Sequence, residues 1–116
     1  MIRQVANHPD YFVTSEGKVY SYKGKERREL KPDYYKGYAR VKLDGKNYYI
    51  GDLVLEAFIE PRPDPTYEVF HIDGDRGNND VFNLCWLSHS DVHLYSMYSS
   101  SYRQSDEFKR ELFGQI

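Results

Sequence analysis

His71 ends the strand-like run Tyr67-Glu68-Val69-Phe70 and opens onto a polar turn, Ile72-Asp73-Gly74-Asp75-Arg76-Gly77-Asn78-Asn79. Asn83 follows and leads into the short apolar segment Leu84-Cys85-Trp86-Leu87. Two more histidines come soon after. His89 and His93 are four apart, so on a helix they share a face. Asp73 lies two residues beyond His71 and projects to the same side if the strand persists. Asp73, His89 and His93, grouped with His71, are candidate metal ligands, and imidazole suits Zn²⁺ or Ni²⁺ better than Mg²⁺. The ordinary structural reading stands beside this one. His71 is then simply hydrogen-bonded within the turn, and Asn78, Asn79 and Asn83 bond the local backbone, as asparagines in turns do. Asp73-Gly74-Asp75 does not open a calcium loop, because Leu84 stands where the twelfth-position acid is required.

A second chemistry is spread over the first half. Between Lys18 and Lys46 there are ten basic residues against four acidic ones, although the net charge of the chain is -2. Tyr34, Tyr35, Tyr48 and Tyr49 lie in or beside that stretch, and basic-aromatic mixtures suit nucleic-acid backbones and bases. Lys25, Arg27, Arg28, Lys36, Arg40 and Lys42 are the expected nucleic-acid contacts. The rest of the chain is acidic and favours a protein partner over DNA there. A single cysteine, Cys85, excludes an internal disulfide and a cysteine-built zinc site. No apolar run approaches the ~20 residues of a membrane span, and no leader segment is expected. The expected location is cytoplasmic, with no membrane partner.

The elements that must position these residues are short. Tyr11-Phe12-Val13 and Lys18-Val19-Tyr20-Ser21-Tyr22 read as strands about a turn at Ser15-Glu16-Gly17, and Lys23 to Glu29 reads as a loop or a ragged hairpin tip. Gly37 to Leu43 and Lys46 to Ile50 read as a hairpin about Asp44-Gly45. Asp52 to Ile59 reads as a helix, with Asp52 as its cap. Tyr67 to Ile72 and Leu84 to Leu87 read as a further strand pair. Ser88 and Asp91 fit a capping box for a helix running from His89 to about Tyr98. Ser99-Ser100-Ser101 is expected to break the helical run. A last helix spans Arg103 to Phe113, with Phe108 and Leu112 on one face and Gly114 as its stop. The predicted fold is α+β: a small antiparallel sheet module over 1–62, then a ββα core with a C-terminal helix over 63–116, forming one compact unit.

Two segments resemble the HNH homing endonucleases of phage and intron type. Val13-Thr14-Ser15-Glu16-Gly17-Lys18-Val19-Tyr20-Ser21, Leu30-Lys31-Pro32, Gly37-Tyr38-Ala39-Arg40-Val41 and Leu53-Val54-Leu55-Glu56-Ala57-Phe58-Ile59 resemble the small motif that precedes the HNH domain. Val69 to about His93 resembles the ββα-metal core itself. The resemblance implies that His71 is the general base that activates water and that Asn83 braces the loop. It also implies a divalent cation assisting the leaving oxygen. The ligand positions, however, carry Phe70 and Val92, which have no lone pair to give. Gly51-Asp52 replaces the family's basic pair ahead of the core. The expected cofactor is therefore none, or a divalent metal ion (Mg²⁺ or a transition metal) if the chain is active. The expected function is that of an HNH-derived protein, catalytically degenerate, that binds a macromolecule, for example as an inhibitor of a host enzyme or defence complex. The alternatives are an active DNA nickase with altered ligands and a DNA-binding protein without catalysis.

Overall fold

The computed structural model describes residues 1–113 and is α+β. Four strands make the first sheet: β1 (Ile2–Val5), β2 (His8–Thr14), β3 (Val19–Ser21) and β4 (Arg28–Glu29), in that order. A second sheet holds β5 (Asp33–Tyr35), β6 (Tyr38–Leu43) and β7 (Lys46–Tyr49), also in order. Its β6–β7 hairpin turns at Asp44 and Gly45, both with positive φ (51° and 86°), the backbone that tight two-residue turns require. β1, β4 and β5 are additions to the predicted strands. They are short or largely exposed, so they carry little alternation of apolar and polar residues to read.

Helix α1 (Ile50–Phe58) buries Ile50, Leu53, Val54 and Leu55 against the sheets. Asp52 is not its cap: the helix begins two residues earlier, Tyr49 holds the cap position without a side-chain bond, and Asp52 lies in the first turn. Strands β8 (Tyr67–His71) and β9 (Leu84–Ser88) form an antiparallel ribbon with Phe70 opposite Cys85 and His71 opposite Leu84. Alternation gives the ribbon two apolar faces. Leu84 and Trp86, with Tyr67 and Val69, join the main core of Val13, Val19, Val41, Leu43 and α1. Phe70, Ile72, Cys85 and Leu87 join a second core.

The second core is covered by α2 (His89–Tyr95), α3 (Ser100–Arg103) and α4 (Asp106–Phe113). Ser88 caps α2 by accepting from the Asp91 amide. The helix ends at Tyr95, short of the predicted Tyr98, and the serine run does not simply break the helical path. Ser99 accepts from the Tyr102 amide and so starts α3, while Ser105 accepts from the Phe108 amide and starts α4. Phe108 is fully buried, with its ring edge-on to Tyr95, Tyr98 and Tyr102 at 5.4–5.8 Å. The expected stop at Gly114 lies outside the described residues. Among the described residues no helix is long and apolar enough to cross a membrane.

Candidate functional site

His71 sits at the end of β8, 7% exposed, with Nε2 2.9 Å from Asn79 Oδ1. Burial lowers the imidazole below its usual range, against the opposing pull of Asn79, Asp73 and Asp75. A neutral ring that donates through Nε2 keeps a lone pair on Nδ1, which is what a proton acceptor needs. Asn79 is itself buried and held from two sides. A side-chain carbon placed on Gly17 would lie 2.9 Å from Asn79 Cβ, and one on Gly51 would lie 3.2 Å from Asn79 Oδ1. Gly17, with φ of 91°, and Gly51 at the start of α1 thus leave room for the residue that orients His71. The Val81 amide donates to Ser15 O and ties the same loop to the first sheet.

Asn83 spans the polar turn. Its Oδ1 accepts from the Asp73 amide, and its Nδ2 donates to Asp73 Oδ1 and Asn78 O, all at 2.9–3.0 Å. Asp73 Oδ2 accepts from Asn78 Nδ2, and Oδ1 also accepts from the Asp75 amide. Burial works against the charge, but these donors hold the Asp73 carboxyl below its ordinary range. Asp73 is therefore turned into the loop. His89 is exposed and pairs with Glu68 Oε2 at 2.9 Å, while His93 lines the cavity beside His71. The structure does not gather Asp73, His89 and His93: among the described residues no three histidine, cysteine or acidic side chains stand close enough to hold a metal ion.

Phe70 is one of the buried residues of the second core, and Val92 packs against that core. Phe70 is 2% exposed and tilts against Tyr95. Neither offers an oxygen or nitrogen to a cation.

The arginines around His71 were not singled out by the sequence. Arg76 stacks its guanidinium over Tyr38 at 4.6 Å, Tyr38 lies 5.9 Å from the His71 ring, and Arg76 Nη1 donates to Lys36 O. Arg62 pairs with Asp52 at 3.0 Å and stacks over Trp86. Burial, helped by Glu56 and opposed by Arg62, raises Asp52 to about 6. Thus Arg62, supplied from the proline-rich connection, stands beside Asp52 on α1. Arg62, Asp52, Tyr38, Arg76 and His71 share one cavity wall.

The basic residues expected to contact nucleic acid separate into two groups. Tyr38, Arg40 and Lys42 alternate on β6 and so share a face that ends beside His71. Arg40 forks onto Asp33 and lies over Tyr35, as does the Lys36 ammonium. Arg28 falls instead on β4 of the other sheet, and Lys25 and Arg27 lie in the loop that leads to it, where Arg27 covers Tyr20. Asn79 and Arg76 had one readable signal, their place in the turn after His71.

Residues 53–94 match the HNH endonuclease family. The chain is 33% identical over 101 residues to YosQ, a protein of the SPbeta prophage of Bacillus subtilis (strain 168) named as an HNH homing endonuclease. That match covers 84% of this chain. Its fold superposes on the HNH homing endonuclease I-HmuI with a TM-score of 0.72 and 25% identity over 97% of the chain. The chain is an HNH endonuclease-like protein. A further relative is an uncharacterized HNH endonuclease of Acanthamoeba polyphaga mimivirus, 32% identical over 99 residues, 78% of this chain. The HNH-like chain spans 24% of the mimivirus protein, 58% of YosQ and 65% of I-HmuI. The solved structure of I-HmuI concerns DNA binding and cleavage by that enzyme. HNH enzymes generally use a divalent metal. The side chains of Phe70 and Val92 carry no oxygen or nitrogen that could hold one.

Proposed function

We propose that this chain binds DNA along the groove centred on His71 and lacks the metal-assisted hydrolysis of the HNH enzymes. The observation that carries this reading is that Phe70 lies in an apolar core with Val92 packed against it, the two residues that the family resemblance aligns with metal ligands. Cationic and aromatic side chains nevertheless line the approach. Arg40 and Lys42 lead along β6 to Tyr38, and Arg76 and Arg62 flank His71. Phosphate oxygens are recognised by such guanidinium groups, and bases stack on exposed tyrosines such as Tyr34 and Tyr49. Asn79 and Asn83 keep the loop and imidazole in place without requiring hydrolysis.

A second reading, nicking of DNA with an altered ligand set, has one observation in its favour: His71 remains neutral, oriented and beside the groove. A host protein as partner draws on the acidic second half of the chain and on the exposed Leu94 and Met97. Two assays separate the three. Duplex DNA is titrated by fluorescence anisotropy over a range of salt, and supercoiled plasmid is incubated with Mg²⁺, Mn²⁺, Ni²⁺ or Zn²⁺. The expected result is salt-sensitive binding with the plasmid intact. Cleavage that disappears in His71→Ala would replace this reading with the nickase.

A further inference from the structure

On the other side of His71, between β8 and α2, lies a cavity of about 400 Å³ whose wall includes Phe70, Val92, His93, Ser96, Arg76 and Arg103. Arg103 is the last residue of α3 and lays its guanidinium toward the Phe70 ring, 5.8 Å from the centroid. Its Nε is buried and has no hydrogen-bond partner. Gly74, at φ of 82°, makes the room: a side-chain carbon there would lie 2.5 Å from Arg103 Nη2. A buried charged donor without an acceptor is costly, and natural structures rarely leave one unless something binds there. Glu68 is the carboxylate on this wall, and His89 already engages it.

We propose that this cavity is a phosphate site in which Arg103 takes the place of the divalent ion, binding a phosphodiester of DNA without cleaving it. The ligand's identity as DNA rests on the reading above; the site itself rests on Arg103. A guanidinium supplies positive charge and a fork of donors that matches two phosphate oxygens. It lacks the ion's ability to generate a strong nucleophile from bound water. The apolar pair Phe70 and Val92, which excludes a cation, also supports this arrangement. Phe70 offers a ring for the guanidinium to lie against, and burial strengthens any charge-assisted bond to an incoming anion. Arg76, on the same wall, brings a second guanidinium.

The test follows the Arg103 Nε–H resonance of the full chain during titration with inorganic phosphate and then with the dinucleotide pTpT. The resonance is expected to move with both probes. In duplex binding, Arg103→Gln is expected to weaken affinity about tenfold, the loss of one charge-assisted contact. It should also flatten the salt dependence by roughly one counterion, while Arg103→Lys keeps the slope. An unmoved Arg103 resonance would overturn the site. So would Mn²⁺ broadening the His71 and His93 resonances, because an ion would then occupy the cavity. Duplex binding unchanged in Arg103→Gln would overturn the site alone and leave the DNA-binding reading standing. Phosphate bound at Arg103 by a protein that ignores duplex DNA would overturn both that reading and the ligand named here.

Discussion

At the scale of single residues, the chemistry depends on which face of β8 each side chain takes. His71 turns to Asn79 and the groove, and its neighbour Phe70 turns into the second core. Burial of His71 makes a pH prediction with a definite sign. Its folded pKa lies below the unfolded value of about 6.5, so in acid the unfolded chain takes up the proton more readily. This group's contribution is present above about pH 6.5 and lost as the pH falls below it. Urea unfolding across that range should show stability falling toward acid, with part of the slope missing in His71→Gln. Phe70→Ala should lower the unfolding free energy by about 3–5 kcal/mol, the usual penalty for truncating a buried aromatic ring. A change below about 1 kcal/mol in urea unfolding would mean that Phe70 is not packed as described.

At the scale of elements, the first sheet and α1 serve the histidine at one remove. The Ser15–Gly17 turn and Gly51 close around Asn79, so Gly17→Ala places a methyl group against it in a backbone conformation that disfavours alanine. The expected result is a loss of about 1–3 kcal/mol and a shift of the His71 ring resonances in NMR spectra. Asp52 on α1 behaves in the opposite sense to His71. Its folded pKa of about 6 exceeds the unfolded value, so its contribution to stability falls as the pH rises from about 4 to 6. Asp52→Asn should remove that decline, a difference on the order of 2 kcal/mol near neutral pH, measured by urea unfolding of both proteins at matched pH.

At the scale of the whole molecule, charge and shape act together. The chain is acidic overall, yet Arg40 and Lys42 on β6 and Arg62 and Arg76 beside His71 line one approach to the site. Association should therefore fall steeply with salt despite the negative net charge. Arg40→Ala with Lys42→Ala is expected to weaken duplex binding across different sequences alike and to reduce the salt slope by about two. Lys42→Ala alone should leave the thermal transition nearly unchanged, because Lys42 is exposed on the face of the sheet.

Much of the fold was legible because it is local. The Asp44-Gly45 hairpin, the Ser88 cap, the β8–β9 pair and the polar turn are each specified by a few adjacent residues. The α2 limit at Tyr95 and the serine-started α3 were not, since the serines serve as helix caps rather than as a simple break. Sequence alone determined that the side chains of Phe70 and Val92 carry no oxygen or nitrogen donor, because that statement needs only side-chain chemistry. Tertiary structure alone decided the rest: that Asp73 is held by Asn78 and Asn83, that Asn79 is the partner of His71, and that Arg103 reaches the Phe70 wall. Those pairings join residues separated by turns and helices, and only packing decides which side chains meet once the chain has closed on itself.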